Sequence, residues 1–162
     1  MRRSIVFWVR SALIAAVYVV LTIVFSPFSF GEIQVRIAEM LTVLPLFTGA
    51  AVPGLFVGCL LGNTLGGAPL PDILFGSLAT LIGAAGTYAL RSKGVGPAIL
   101  PPIAANTLII PWILRLVYRV ALPIPLMMLT VGVGESLSVG LLGSLFAALL
   151  KKHEKAIFGQ KS

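Results

Sequence analysis

Residues 40–61, MLTVLPLFTGAAVPGLFVGCLL, carry no charge, and how this run is divided decides the fold. Its length suits one membrane-crossing helix, because about 20 apolar residues rising about 1.5 Å each cover a hydrocarbon core of about 30 Å. Two breakers argue for a division. Gly49, followed by Pro53-Gly54, interrupts the helical pattern, since proline lacks the amide a helix interior needs and glycine favours a turn. The run therefore predicts a short helix over about 34–47 and another over about 53–65.

Upstream, residues 5–25 are apolar apart from Arg10 and a few small polar side chains, which predicts a first spanning helix. That run is too long for a signal-peptide core and no small-residue cleavage pattern follows, so it is expected to stay attached. Downstream come a loop at 66–71 and a helix over 72–90 with Asp72 as its expected N-cap. A basic loop at 91–94 follows, then a helix over 97–117 and a last helix over 126–150. The fifth contains Pro101, Pro102 and Pro111, so a kink or break is expected. The expected fold is an all-α integral membrane bundle of six transmembrane helices, a single domain over 1–162.

Composition agrees. The chain is 58% hydrophobic and 10% charged, where about 25% charged is typical of soluble domains; the mean hydropathy is +1.06. A net charge of +7 could suggest a nucleic-acid partner, but the basic residues lie at the ends of apolar runs rather than in one patch. Six spans with a cytoplasmic N-terminus put Arg2, Arg3, Arg10, Arg91, Lys93, Lys151, Lys152, Lys155 and Lys161 inside, against Arg36, Arg115 and Arg119 outside. Joining the second and third helices would reverse that bias, so both termini are expected in the cytoplasm of a multi-pass plasma-membrane protein. No nucleic-acid partner is expected.

The same topology gathers the polar groups of the spans. Gln34, Arg36 and Glu39, with Glu32, occur within eight residues around the second helix; Asn63, Asp72 and Glu135 fall toward the same outer side, and Asn106 lies deeper. An ionisable group in a span costs about 2.5–3.5 kcal/mol on insertion scales, so such groups usually face a partner, a cavity or a substrate. An outward-facing pocket for a small polar molecule is expected. Bland alternatives exist for each: Arg36 and Glu39 share a helix face and could pair, Asp72 could only cap, and the asparagines could bridge helices. Glu135 follows Gly132-Val133-Gly134 with no basic residue within a turn, so neutralisation, hydration or a donor-rich ligand is required.

Small residues recur every fourth position at Gly54, Gly58 and Gly62 and at Ser136, Gly140, Ser144 and Ala148, and both stripes are expected to be seams inside the bundle. Ala12 and Ala16 form a further pair that suits either the interior or a partner protein. Cys59 stands alone and is expected to pack; His153, in the basic tail, has no ligand cluster around it, so no metal site or cofactor is expected. The chain lacks a P-loop and any activated nucleophile, which argues against an enzyme and against self-powered transport.

GEIQVRIAE at 31–39 with LTVLP at 41–45, PGLFVGC at 53–59 with Asn63, DILFGSLATL at 72–81, Pro101-Pro102 with Asn106, and Gly134-Glu135 together resemble the QueT family. These are substrate-binding S components of energy-coupling factor (ECF) transporters, linked to uptake of queuosine precursors. The chain departs from the family's pattern at Ala38-Glu39-Met40, where a Ser-Glu-Ala-like run is expected. The resemblance implies an S-component fold that captures a deazaguanine at the outer face through Gln34, Arg36, Glu39, Asn63, Asp72, Asn106 and Glu135. It also implies docking of a transmembrane coupling subunit through Ala12 and Ala16, and two separate ATPase subunits. From the residues alone, an S component for a vitamin or amino acid, a solitary carrier or channel, and a structural subunit remain alternatives.

Overall fold

The structure, a computed structural model, describes residues 2–25, 36–153 and 157. Among these are six helices: α1 (Arg2–Val24), α2 (Ile37–Leu46), α3 (Ala51–Leu65), α4 (Leu70–Ala89), α5 (Val95–Leu116) and α6 (Ile124–Lys152). The division of the uncharged run falls where its breakers place it, with a turn joining α2 to α3 around Gly49. The helix count agrees with expectation, but the helices are not six equivalent spans.

Four of them, α1, α4, α5 and α6, are long and apolar enough to cross a membrane. By contrast α3 has 15 residues, about 22 Å at 1.5 Å each. The 10 residues of α2 are wound as a 3₁₀ helix, about 20 Å long, with Pro45 inside it. Seven of those residues are buried, Ala38, Glu39 and Leu41 to Pro45. The outer helices α1, α3, α4, α5 and α6 pack in that order, and α2 packs against every one of them. It is the filling of the bundle rather than part of its lipid-facing wall.

Two backbone-close seams build the wall. A Cβ at Gly58 would stand 2.8 Å from the Tyr18 Cβ and 3.0 Å from the Ala15 Cα, and one at Gly54 would stand 2.7 Å from the Ser11 carbonyl oxygen. Only glycine lets α3 approach α1 this closely. Similarly, Pro102 seats against Gly83, with 2.6 Å from its Cα to the position a Cβ would take, locking α5 onto α4. The expected break in α5 comes at Ile99, so that Pro101 and Pro102 lie in the first turn of the long segment, where a missing amide leaves no helical bond unmade.

The Ser136, Gly140, Ser144, Ala148 stripe corrects an expectation. Ser136 and Ala148 are exposed, and a Cβ at Gly140 would meet nothing nearer than the Ser136 Cβ at 4.0 Å, so the stripe faces outward. The inward face of α6 is instead Val131, Glu135, Val139, Gly143 and Ala147. Spacing alone gave the periodicity of this stripe but not its phase.

The bundle has two unlike ends. Arg10, Thr48 and Leu150 line one cavity, and Phe47, Arg91 and Lys151 another, so the start of α1, the α2–α3 turn, the α4–α5 loop and the end of α6 share one end. This is where the described basic residues of the helix ends and loop lie. The α3–α4 and α5–α6 loops lie at the other end, where Tyr118 meets Asp72.

Candidate functional site

The 3₁₀ winding of α2 carries Arg36, just before its first residue, and Glu39 into the interior. Arg36 is 4% exposed and Glu39 is fully buried, depths at which an ionised side chain needs partners. The Glu39 Oε1 accepts hydrogen bonds from the Tyr18 hydroxyl of α1 and from the Thr80 hydroxyl of α4, the latter at 3.1 Å. Its Oε2, equally buried, has no hydrogen-bond partner. Arg36 donates through Nη2 to the Asn63 Oδ1 of α3, and the Asn63 amide lies 3.6 Å from the Cys59 sulfur. The Thr80 hydroxyl lies 3.4 Å from the same sulfur, so Cys59 packs in the apolar core with Tyr18, Ala51 and Leu55, as expected, and its sulfur also borders the polar site.

Asp72 is a second correction. The N-cap of α4 is Pro69 without a side-chain cap bond, and Asp72, within the first turn, accepts from the Tyr118 hydroxyl at 2.6 Å. Its Oδ1 and the Asn63 Nδ2 lie 3.1 and 3.2 Å from where a Cβ on Gly76 would stand, so the missing side chain at Gly76 keeps room between them. Tyr118 belongs to the α5–α6 loop, whose next residue, Arg119, holds a left-handed backbone at φ 56°. Burial, and then the bond to Asp72, push the Tyr118 hydroxyl above the ordinary tyrosine range. Arg115 is exposed and donates to the Val120 carbonyl at 3.1 Å, which ties the loop to α5 and keeps Arg115 out of the site.

Across the interior, Glu135 of α6 is 2% exposed and lies within electrostatic range of both Glu39 and Arg36. Asn106 of α5 sits against it, yet the Asn106 Nδ2 and the Glu135 Oε2 make no hydrogen bond of good geometry. Helix α6 changes from α to a wider π winding immediately after Glu135, a distortion frequent at functional sites. Buried polar atoms are satisfied in the great majority of cases, and the described exceptions are the Glu39 Oε2, the Glu135 Oε2 and the Asn106 Nδ2 together with the Thr22, Thr107 and Ser138 hydroxyls.

Of the residues expected to bind, Arg36, Glu39, Asn63, Asp72, Asn106 and Glu135 are thus brought into one buried cluster, while Gln34 lies outside the described residues. Ala12 and Ala16 are exposed on α1, facing away from the seam formed by Ser11, Ala15, Tyr18 and Thr22. Sequence reasoning missed Tyr18, Thr80, Tyr118 and Gly76. Two of these left a signal: Asp72, Gly76 and Thr80 recur every fourth residue, which puts them on one face of α4. Among the described residues no group of His, Cys, Asp and Glu could hold a metal.

Residues 8–152 match the family model described as QueT transporter. The chain belongs to the QueT transporter family. It is accordingly a multi-pass membrane protein of a transporter family, not an enzyme. A protein of Lactococcus lactis subsp. cremoris (strain MG1363) named Queuosine precursor transporter QueT is 36% identical to this QueT-family chain over 76 residues. That alignment takes in 46% of this chain and 44% of the relative, so the chain spans less than half the length of the relative it matches. No solved structure matches this family member.

Proposed function

We propose that this protein captures a deazaguanine queuosine precursor in the buried cluster of Arg36, Glu39, Asn63, Asp72, Asn106 and Glu135, and hands it to a separately powered transport machine. Gln34 belongs to the same proposed site. The observation that carries this reading is the unfilled acceptor Glu39 Oε2 within electrostatic range of the Glu135 carboxylate and its Asn106 neighbour, all in the buried interior of a transporter-family bundle. A guanine-like edge brings N–H donors and a carbonyl acceptor close together, and a set of carboxylate oxygens and an amide is its complement.

The protein works as a single domain in the plasma membrane with both termini in the cytoplasm, so that the carboxylate cluster opens to the outside. Basic residues gathered at the opposite end support this orientation. Uptake is driven by an ECF transmembrane coupling subunit and two ATPase subunits. Ala12 and Ala16, small and exposed about the middle of α1, suit close approach of a partner helix there.

Calorimetry on the purified protein tests capture. Saturable binding of a deazaguanine precursor, with no binding of an unrelated vitamin, is expected; the reverse pattern refutes the assignment. Ala12→Trp and Ala16→Trp test delivery: both should bind as the parent does and fail in cellular uptake. Normal uptake by both would remove the coupling role from α1.

A further inference from the structure

Resting on the capture site proposed above, we infer that the pocket selects its ligand by charge, taking a precursor that carries a cationic group and rejecting a neutral analogue of the same shape. The basis is the balance of buried charge. All three described acidic residues, Glu39, Asp72 and Glu135, are buried, at 0%, 5% and 2% exposure, and the only buried basic residue among those described is Arg36. Arg115 and Arg119, at the same end of the bundle, are exposed. The remaining described basic side chains belong to the opposite end.

One guanidinium among three carboxylates leaves negative charge uncompensated where water is excluded, and there a like-charged pair is strongly disfavoured. Asp72 already accepts from Tyr118, and one oxygen of Glu39 is held by Tyr18 and Thr80. The shortfall therefore falls on the Glu39 Oε2, which has no hydrogen-bond partner, and on Glu135, whose buried carboxylate has only the Asn106 amide beside it. An ammonium group supplies both a positive charge and up to three donors, so one substituent can answer both carboxylates. A linear, neutral nitrile has no donor and no charge, and leaves both carboxylates as they stand.

The test is calorimetry on the full-length protein with two deazaguanines that differ in one substituent, aminomethyl and cyano, at constant pH. The aminomethyl compound should bind about tenfold tighter or more. In Glu135→Gln its affinity should fall while that of the cyano compound holds or rises, so that the preference collapses; Glu39→Gln gives the same readout if the first variant does not fold. Equal affinities for the parent protein, or tighter binding of the cyano compound, would overturn charge selection and leave deazaguanine capture standing. Binding of neither compound would overturn both. A preference that survives both substitutions would also overturn it, because the selecting charge would lie elsewhere.

Discussion

The α1–α3 seam and the chamber between α2, α4, α5 and α6 are equally buried and built on opposite terms. In the seam, Gly54 and Gly58 let backbones touch, with no room for one added carbon. In the chamber, polar side chains from several helices bond to one another, Arg36 to Asn63 and Tyr18 and Thr80 to Glu39, but Glu39 Oε2, Glu135 Oε2 and Asn106 Nδ2 are left without a hydrogen bond of good geometry. The seam is closed by backbone contact and, among the described residues, leaves only the Thr22 hydroxyl without a hydrogen-bond partner, whereas the chamber leaves carboxylate oxygens so. Stability is concentrated where packing is finished, and binding where it is left unfinished.

The sharpest way to break this contrast is to enlarge the seam. Gly58→Leu forces a side chain into the Tyr18 Cβ and the Ala15 backbone, neither of which can swing away, so a loss of about 3 kcal/mol or more is expected. Thermal unfolding in detergent should show it, together with loss of all binding. Wild-type stability for this variant would mean that α1 and α3 are not tightly joined.

Neutralising the chamber should do the opposite. Glu39→Gln and Glu135→Gln each remove charge-assisted bonds worth about 1.5–3 kcal/mol to a ligand, so affinity should fall roughly tenfold to a hundredfold. Melting temperature in the absence of ligand should hold or rise for Glu135→Gln, since burial disfavours the charge it removes, and should fall for Glu39→Gln, which takes a partner from the buried Arg36. Unchanged affinity with a lower melting temperature would make the two residues structural.

A smaller effect is expected at the rim. Tyr118→Phe removes one hydrogen bond to Asp72 at a partly exposed position, so ligand affinity should drop by about twofold to tenfold. No change in equilibrium binding or in dissociation rate would detach the α5–α6 loop from the site. The smallest effect belongs to Gly140→Leu. This glycine has the spacing of the seam glycines but faces outward, and unfolding should shift by no more than about 0.5 kcal/mol. A loss comparable to that of Gly58→Leu would show that α6 presses its stripe against another surface.

Much of the frame is legible in the amino-acid sequence. Uncharged runs long enough to cross a bilayer, breakers at Gly49 and Pro53-Gly54, and cations at the ends of runs are local properties, and each has one dominant physical meaning. The isolated carboxylates at 39, 72 and 135 are equally visible, because an ionisable group in an apolar sequence demands a reason.

What those groups do is decided only by the fold. Asp72 has the composition of a cap and the bonding of a loop anchor, since Tyr118 lies 46 positions away and no local pattern reports it. Cys59 packs as its sequence context suggests, but only the fold shows that its sulfur also lies beside the Thr80 hydroxyl of α4. The two small-residue stripes have the same period in sequence, and only the packing of α6 turns one of them outward. Periodicity and hydropathy fix which segments become helices because those forces act between near neighbours and the surrounding solvent. Which oxygen is left without a donor depends on where five other helices place their side chains, and that is settled by the tertiary structure alone.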